Sequence, residues 1–151
     1  MSVAFRRESD DEHLEPRFEI PIPPGPNLVT ARGLELIAVR VAELEALLPA
    51  ITDEDARKAA KRDLRYWRLR LATAELRPTP AGGKVAFGCT VRYRLGGKDS
   101  TITIVGHDEA DPARQLISFL APLCRAMQGA EESEVLDFGG REAVLEVIAI
   151  G

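Results

Sequence analysis

The sequence predicts an α+β protein, an N-terminal antiparallel coiled-coil hairpin followed by a small antiparallel sheet with one helix. Three observations carry that prediction. Apolar residues recur at heptad spacing between Leu34 and Ala74, β-branched alternation is confined to the stretch after Gly83, and proline and glycine cluster between the two. With 151 residues, 45% of them hydrophobic, the chain is long enough for one ordinary domain or a small domain with an appendage.

The lead "RRESDDEHLEPRFEIPIPPGPN" mixes charge with five prolines between Pro16 and Pro26, so neither a helix nor a central strand persists through it. Residues 1–27 are expected to form a flexible or extended arm. Leu34, Ile37, Val41, Leu44 and Leu48 then follow at spacings of three, four, three and four, which is a heptad seam. Thr30 is placed to cap this helix, and Pro49 is expected to end it. Ala60, Leu64, Trp67, Leu71 and Ala74 form a second seam, on which Trp67 reads as packing. The link "PAITDED" is too short for a parallel return, so 28–77 is expected to be an antiparallel hairpin.

Pro78, Pro80, Gly82 and Gly83 mark a linker over 78–83. In the domain expected over 84–151, "KVAFGCTVRYRL" and "KDSTITIVG" flank Gly96-Gly97 as a β-hairpin. "APLCRAMQG" reads as a short helix with Pro122 in its first turn and Gly129 after its end. "SEVLDF" and "REAVLEVIAI" flank Gly139-Gly140 as a second hairpin.

Composition narrows the function classes. No stretch approaches the ~18 apolar residues of a membrane span, and the N-terminus turns acidic too early for a signal peptide, so no membrane partner and a cytoplasmic location are expected. Cys89 and Cys124 sit in apolar surroundings and read as reduced, buried thiols. Two histidines 94 positions apart and no CxxC leave zinc without support. The net charge of −4 is unevenly spread: residues 1–29 carry three basic and six acidic side chains, whereas 53–80 carry eight and five.

Three groups of charged or exposed residues stand out. At the hairpin tip, Asp53, Glu54 and Asp55 offer hard oxygens suited to magnesium. The preferred reading is capping, with Thr52 as N-cap, Asp55 at the capping-box position and acids favoured in a first turn. Along the second helix, Arg57, Lys61, Arg65 and Arg68 form one stripe flanked by Lys58 and Arg62, either a phosphate-binding surface or a solvated face. In the third segment, Asp108, Glu109, Asp111, Ser118, Ala121 and Pro122 are either partner contacts or a surface turn, while Ile117, Leu120, Leu123 and Met127 read as core.

From Asn27 to Ile150 the chain resembles the Gre family of bacterial transcript-cleavage factors. The resemblance rests on "NLVTARGLELI", "ATAEL", "VAFGCTV", "IVGHDEAD", "LIS" and "APLCRAMQG", in that order. It implies an FKBP-like C-terminal domain, here carrying the Asp108 to Pro122 segment, that docks at the rim of the RNA polymerase secondary channel. It further implies a coiled coil that projects down the channel, with a basic face toward nascent RNA. In such factors tip acids help hold a magnesium ion shared with the polymerase, so the cleaving site belongs mostly to the partner. On this reading the protein has no catalytic residues or cofactor of its own and at most stimulates the polymerase's nuclease.

The sequence departs from that pattern in the coiled coil. Each arm is about ten residues shorter than in typical cleavage factors, which shortens the reach by roughly 15 Å, while active-site chemistry tolerates misplacement of only about 1 Å. "TDED" also replaces the expected Asp-x-x-Glu loop, Ala121 replaces a serine and "EESEV" a Gly-Asp turn. The preferred expectation is a non-cleaving modulator, in the manner of the short-armed regulator of nucleoside diphosphate kinase family. An active cleavage factor is the alternative. The third reading is a peptidyl-prolyl isomerase, for which Phe87, Tyr93, Phe119 and Phe138 are few aromatics.

Overall fold

A computed structural model describes residues 19–151. Most of the arm expected over 1–27 lies outside the described residues. From Glu19 to Asn27 the chain has no regular secondary structure, as its prolines dictate.

The elements follow in the expected order. A two-residue strand β1 (Leu28–Val29) leads into α1 (Ala31–Leu47), a 3-10 turn (Leu48–Ala50) and α2 (Glu54–Thr73), after which β2 (Glu75–Leu76) pairs parallel with β1. Then come β3 (Thr90–Leu95), β4 (Lys98–Val105), β5 (Leu116–Ser118), α3 (Pro122–Met127), β6 (Val135–Phe138) and β7 (Arg141–Ile150). Pro49 stops α1 as anticipated, since the residue before a proline is steered out of the helical region and Pro49 itself has no N–H to donate.

Contacts divide the chain into two compact units. Among the described residues, one joins 19–24 with Ala38–Ala72, and the other joins Gly25–Ile37 with Thr73–Gly151. In the first unit Val41, Leu44 and Leu64 are buried against Leu48, Trp67 and Leu71, so both heptad seams meet in an antiparallel hairpin. Ala74 falls past the end of α2, and Tyr66 and Arg70, which are off the seam, are buried too.

In the second unit the five-stranded sheet runs in the order β5-β4-β3-β7-β6. Its inner face and α3 enclose Val85, Val91, Ile104, Met127, Leu145 and Val147, each at most 1% exposed. Ile117 and Leu123 pack against this core and Met127 lies inside it, whereas Leu120 is half-buried and outside the cluster. Cys89 and Cys124 are free and buried there. Burial, and secondarily the neighbouring Cys89, pushes the Cys124 thiol up to about 11. The predicted turns form as expected: Gly96 and Gly97 (φ 57° and 85°) join β3 to β4, and Gly139 and Gly140 (φ 62° and 79°) join β6 to β7.

Two expectations are corrected. The sheet is mixed, because β5 lies parallel to β4 with Thr103 opposite Leu116 and Val105 opposite Ser118. The connection from Gly106 to Gln115 contains two 3-10 turns and brings the chain back beside Thr103, so that β5 runs parallel along the last three residues of β4, which a tight hairpin cannot do. Strand β3 is also shorter than "KVAFGCTVRYRL". Gly88 at φ 92° and the bond from the Cys89 N–H to the Ala86 carbonyl (3.1 Å) make a turn there, and regular pairing begins at Thr90.

Candidate functional site

The hairpin tip is built by capping. The Asp53 carboxylate accepts a hydrogen bond from the Ala56 N–H at 2.8 Å, and its carbonyl accepts one from the Arg57 N–H at 2.9 Å. Asp53 is therefore the N-cap of α2, one residue after the expected Thr52. Arg57, placed by sequence on the phosphate-facing stripe, instead turns to the tip and donates to the carbonyls of Leu48 (3.1 Å) and Ile51 (3.5 Å). It is a second donor to the Leu48 carbonyl, which also accepts the Ile51 N–H at 3.1 Å, and it reaches the Ile51 carbonyl just past the 3-10 turn. Glu54 lies 4.0 Å from Lys58 one turn on, and its side chain is 83% exposed. Asp55 is exposed.

These three acids do not fit a metal site by themselves. One carboxylate is committed to a cap, a second faces a lysine, and among the described residues no three His, Cys, Asp or Glu side chains come together to hold an ion.

The basic stripe is real but largely paired. Arg68 donates from Nη2 (2.8 Å) and Nε (3.3 Å) to one oxygen of Glu45 on α1. Arg65 grips Glu19 of the lead through two bonds, Nε to Oε1 at 2.8 Å and Nη2 to Oε2 at 2.7 Å. Arg62 lies 3.9 Å from Asp63. Lys61 is exposed and pairs with no carboxylate among the described residues. Helix α1 thus supplies a counter-charge that its sequence spacing did not advertise.

The Asp108 to Pro122 segment separates into two behaviours. Glu109, expected as a surface contact, is 7% exposed. Its Oε1 accepts the Thr30 hydroxyl at 2.6 Å and its Oε2 accepts Nη1 of Arg32 at 3.0 Å. Thr30 in turn caps α1, its Oγ1 accepting the Gly33 N–H at 3.0 Å. Helix α1 has no acid in its own first turn, so Glu109 places a carboxylate at the positive end of the helix dipole from 77 to 79 positions away. The correction is physical: a carboxylate this enclosed, with both oxygens bonded inside the unit, is a structural strut and offers little to a partner.

Two glycines make that strut fit. A Cβ at Gly33 would stand 2.9 Å from Oε1 of Glu109, and a Cβ at Gly106 would collide with the Leu28 carbonyl oxygen. Neither glycine was singled out by sequence, although a glycine in the first turn of a strong heptad helix is a signal of close approach.

The rest of the segment remains outward or half-buried. Asp111 exchanges backbone bonds with Leu116 (2.8 and 3.1 Å), which shapes the entry to β5. Ser118 Oγ accepts the Leu120 N–H at 3.1 Å and its carbonyl accepts the Ala121 N–H at 2.9 Å, bending the chain into α3 at Pro122, which is exposed. Asp108 and Ala121 are half-buried. Of the aromatics considered for an isomerase pocket, Phe87 and Phe119 meet edge to face at 5.4 Å. Those two and Phe138 pack on the core, and Tyr93 is 9% exposed within it.

Comparison with known proteins bears on the same segment. Residues 79–151 match the family model for the C-terminal domain of the transcription elongation factors GreA and GreB. That match assigns residues 79–151 to the GreA/GreB C-terminal domain. Transcription elongation factor GreA of Desulfovibrio desulfuricans is 47% identical over 58 residues, covering 37% of this chain and 36% of that protein. GreA of Thioalkalivibrio sulfidiphilus is 42% identical over 74 residues, covering 46% and 47%. These matches span less than half the length of each relative. Among solved structures, GreA factor homolog 1 of Thermus thermophilus is 19% identical with a TM-score of 0.40, covering 84% of this chain and 99% of that one. A GreA/GreB factor from Nitrosomonas europaea gives 20% and 0.39, covering 84% and 98%.

The Gre domain so delimited contains β3 to β7, α3 and the whole Asp108 to Pro122 segment. The tip acids and the basic stripe lie outside it.

Proposed function

We propose that this protein is an RNA polymerase-binding regulator of transcription elongation that acts in the cytoplasm at the polymerase secondary channel, without promoting transcript cleavage. The observation that carries the reading is the Gre C-terminal domain at residues 79–151. Within it Asp108, Asp111, Ser118, Ala121 and Pro122 form the contact surface toward the polymerase, and Glu109 holds the first helix in place behind them. The hairpin then enters or caps the channel and excludes other occupants.

The tip favours a non-cleaving role. A cleavage factor needs carboxylates free to share the polymerase's magnesium. Here Asp53 is the helix cap and Glu54 faces Lys58. Helices of 17 and 20 residues give arms of only about 25–30 Å. The competing reading, an active cleavage factor, draws on the exposure of Glu54 and Asp55. In either case the protein stimulates or blocks chemistry that the polymerase performs.

RNA cleavage in stalled, backtracked elongation complexes, assembled with polymerase from the same source, separates the readings. Intact RNA together with inhibition of a cleavage-competent Gre factor is the expected result. Shortened RNA that disappears when Asp53, Glu54 and Asp55 are replaced by alanine would establish the cleavage reading. Intact RNA without inhibition would remove the polymerase as partner.

A further inference from the structure

The ion pair between Glu19 and Arg65 is the one described contact that ties the lead to the basic stripe by charge, and its geometry is specific. Both carboxylate oxygens face one edge of the guanidinium, at 2.8 Å from Nε and 2.7 Å from Nη2. A phosphate uses the same edge, the same two donors and the same fork. Glu19 and a phosphate therefore cannot hold that edge of Arg65 together.

The neighbouring cations make Arg65 the position where such competition matters. Arg57 is committed to the tip carbonyls and Arg68 to Glu45 within the hairpin, whereas Lys61 is exposed and pairs with no carboxylate among the described residues. Arg65 is the stripe cation whose partner comes from the lead, 46 positions away. The contact is also displaceable, because both side chains are about half exposed. The pairing holds the Glu19 carboxyl below its usual range and Arg65 above its own, chiefly through their mutual hydrogen bonds.

Sequence explains why the acid is delivered there. Pro21, Pro23, Pro24 and Pro26 lie within seven residues after Glu19, and their fixed φ reduces the conformations the tether must give up on docking. The lead is acidic where the stripe is basic, with six acidic and three basic side chains over residues 1–29.

We propose that the lead is a built-in competitor for nucleic acid, in which Glu19 occupies Arg65 until the phosphate backbone of single-stranded RNA displaces it. The proposal rests on the reading of the α2 stripe as the RNA-facing side of this regulator. It adds a threshold to that surface: isolated or weak polyanions meet a stripe whose Arg65 is already occupied, and RNA held close by a docked complex overcomes the pair.

The test is fluorescence anisotropy with a fluorescein-labelled single-stranded RNA of about 20 nucleotides and the full-length chain at low salt. Glu19→Ala is expected to tighten binding about two- to five-fold, the range an exposed ion pair supports. Glu35→Ala, an exposed acid on α1 that changes net charge equally, is expected to tighten it less. Arg65→Ala is expected to weaken binding and to abolish the effect of Glu19→Ala in the double variant. The difference is expected to shrink at about 0.3 M salt. Equal tightening by Glu19→Ala and Glu35→Ala would overturn the competitor, leaving a general charge effect. Unchanged binding by Glu19→Ala while Arg65→Ala weakens it would also overturn the competitor and leave the stripe intact. Loss of neither affinity nor the Glu19 effect on replacing Arg65, Lys61 and Arg68 together by alanine would overturn the stripe itself.

Discussion

Glu109 at the root of the first helix and Asp53 at the hairpin tip are both acids at helix N-termini, yet they sit in opposite surroundings. Glu109 is 7% exposed, with one oxygen on Thr30 and the other on Arg32. Asp53 is exposed and uses one oxygen for the Ala56 N–H, within its own turn. The root acid spans 77 to 79 positions of sequence, and the tip acid spans three. The lesson is that a carboxylate's role follows from what encloses it. Charge pattern alone assigned the tip to capping and left the "HDEAD" segment open between partner contact and surface turn, whereas burial moves Glu109 into the architecture.

The comparison breaks most sharply at Gly106. A methyl there meets the Leu28 carbonyl, a backbone atom in a paired strand that cannot swing away. Gly106→Ala is expected to destabilise the Gre domain by about 3 kcal/mol or more, read from urea unfolding by far-UV circular dichroism. A variant as stable as the parent would mean that the root is not close-packed and that the strut has no defined seat.

Glu109 and Gly33 sharpen it further. Glu109→Ala is expected to cost about 2 kcal/mol, discounted because the Arg32 side chain is 45% exposed and finds water when the partner is lost. Gly33→Ala alone is expected to destabilise, since its new Cβ crowds Oε1 of Glu109. In the Glu109→Ala background the same change should stabilise by up to about 1 kcal/mol, the ordinary helix preference for alanine over glycine. That reversal of sign, measured as a double-mutant cycle, reports the contact itself. A Gly33→Ala effect identical in both backgrounds would dissolve the strut.

What sequence could and could not reveal follows from range. The two helices, the Thr30 cap, the glycine turns and the α3 start were legible because each is written in residues a few positions apart. The tip cap was misplaced by one residue because Thr52 and Asp53 are both good N-caps. The bonds from Arg57 to the Leu48 and Ile51 carbonyls are not periodic features. The parallel β5 was missed because three residues carry no alternation to read. The Glu109 strut was hidden for the opposite reason, its partners being far along the chain. The pairing of Arg68 with Glu45 and of Arg65 with Glu19 likewise appeared only when separate segments met.

The smallest expected effects lie at the tip, and they distinguish a cap from a metal ligand. Asp53→Ala removes the acceptor for the Ala56 N–H and is expected to destabilise the hairpin by about 1 kcal/mol. Asp55→Ala, with no side-chain hydrogen bond or ion pair to lose among the described residues, should stay within about 0.5 kcal/mol. Glu54→Ala is expected to fall between them, losing a distant i,i+4 contact with Lys58 and a favourable place near the helix dipole. The chain's single tryptophan, Trp67, sits in the hairpin cluster, so its fluorescence follows that unit during urea unfolding. If Asp53 acts as the cap, the three variants differ in stability but leave transcript cleavage alike. Equal stabilities combined with unequal cleavage would reverse the assignment, because a ligand exposed to solvent contributes to chemistry without contributing to the helix that carries it.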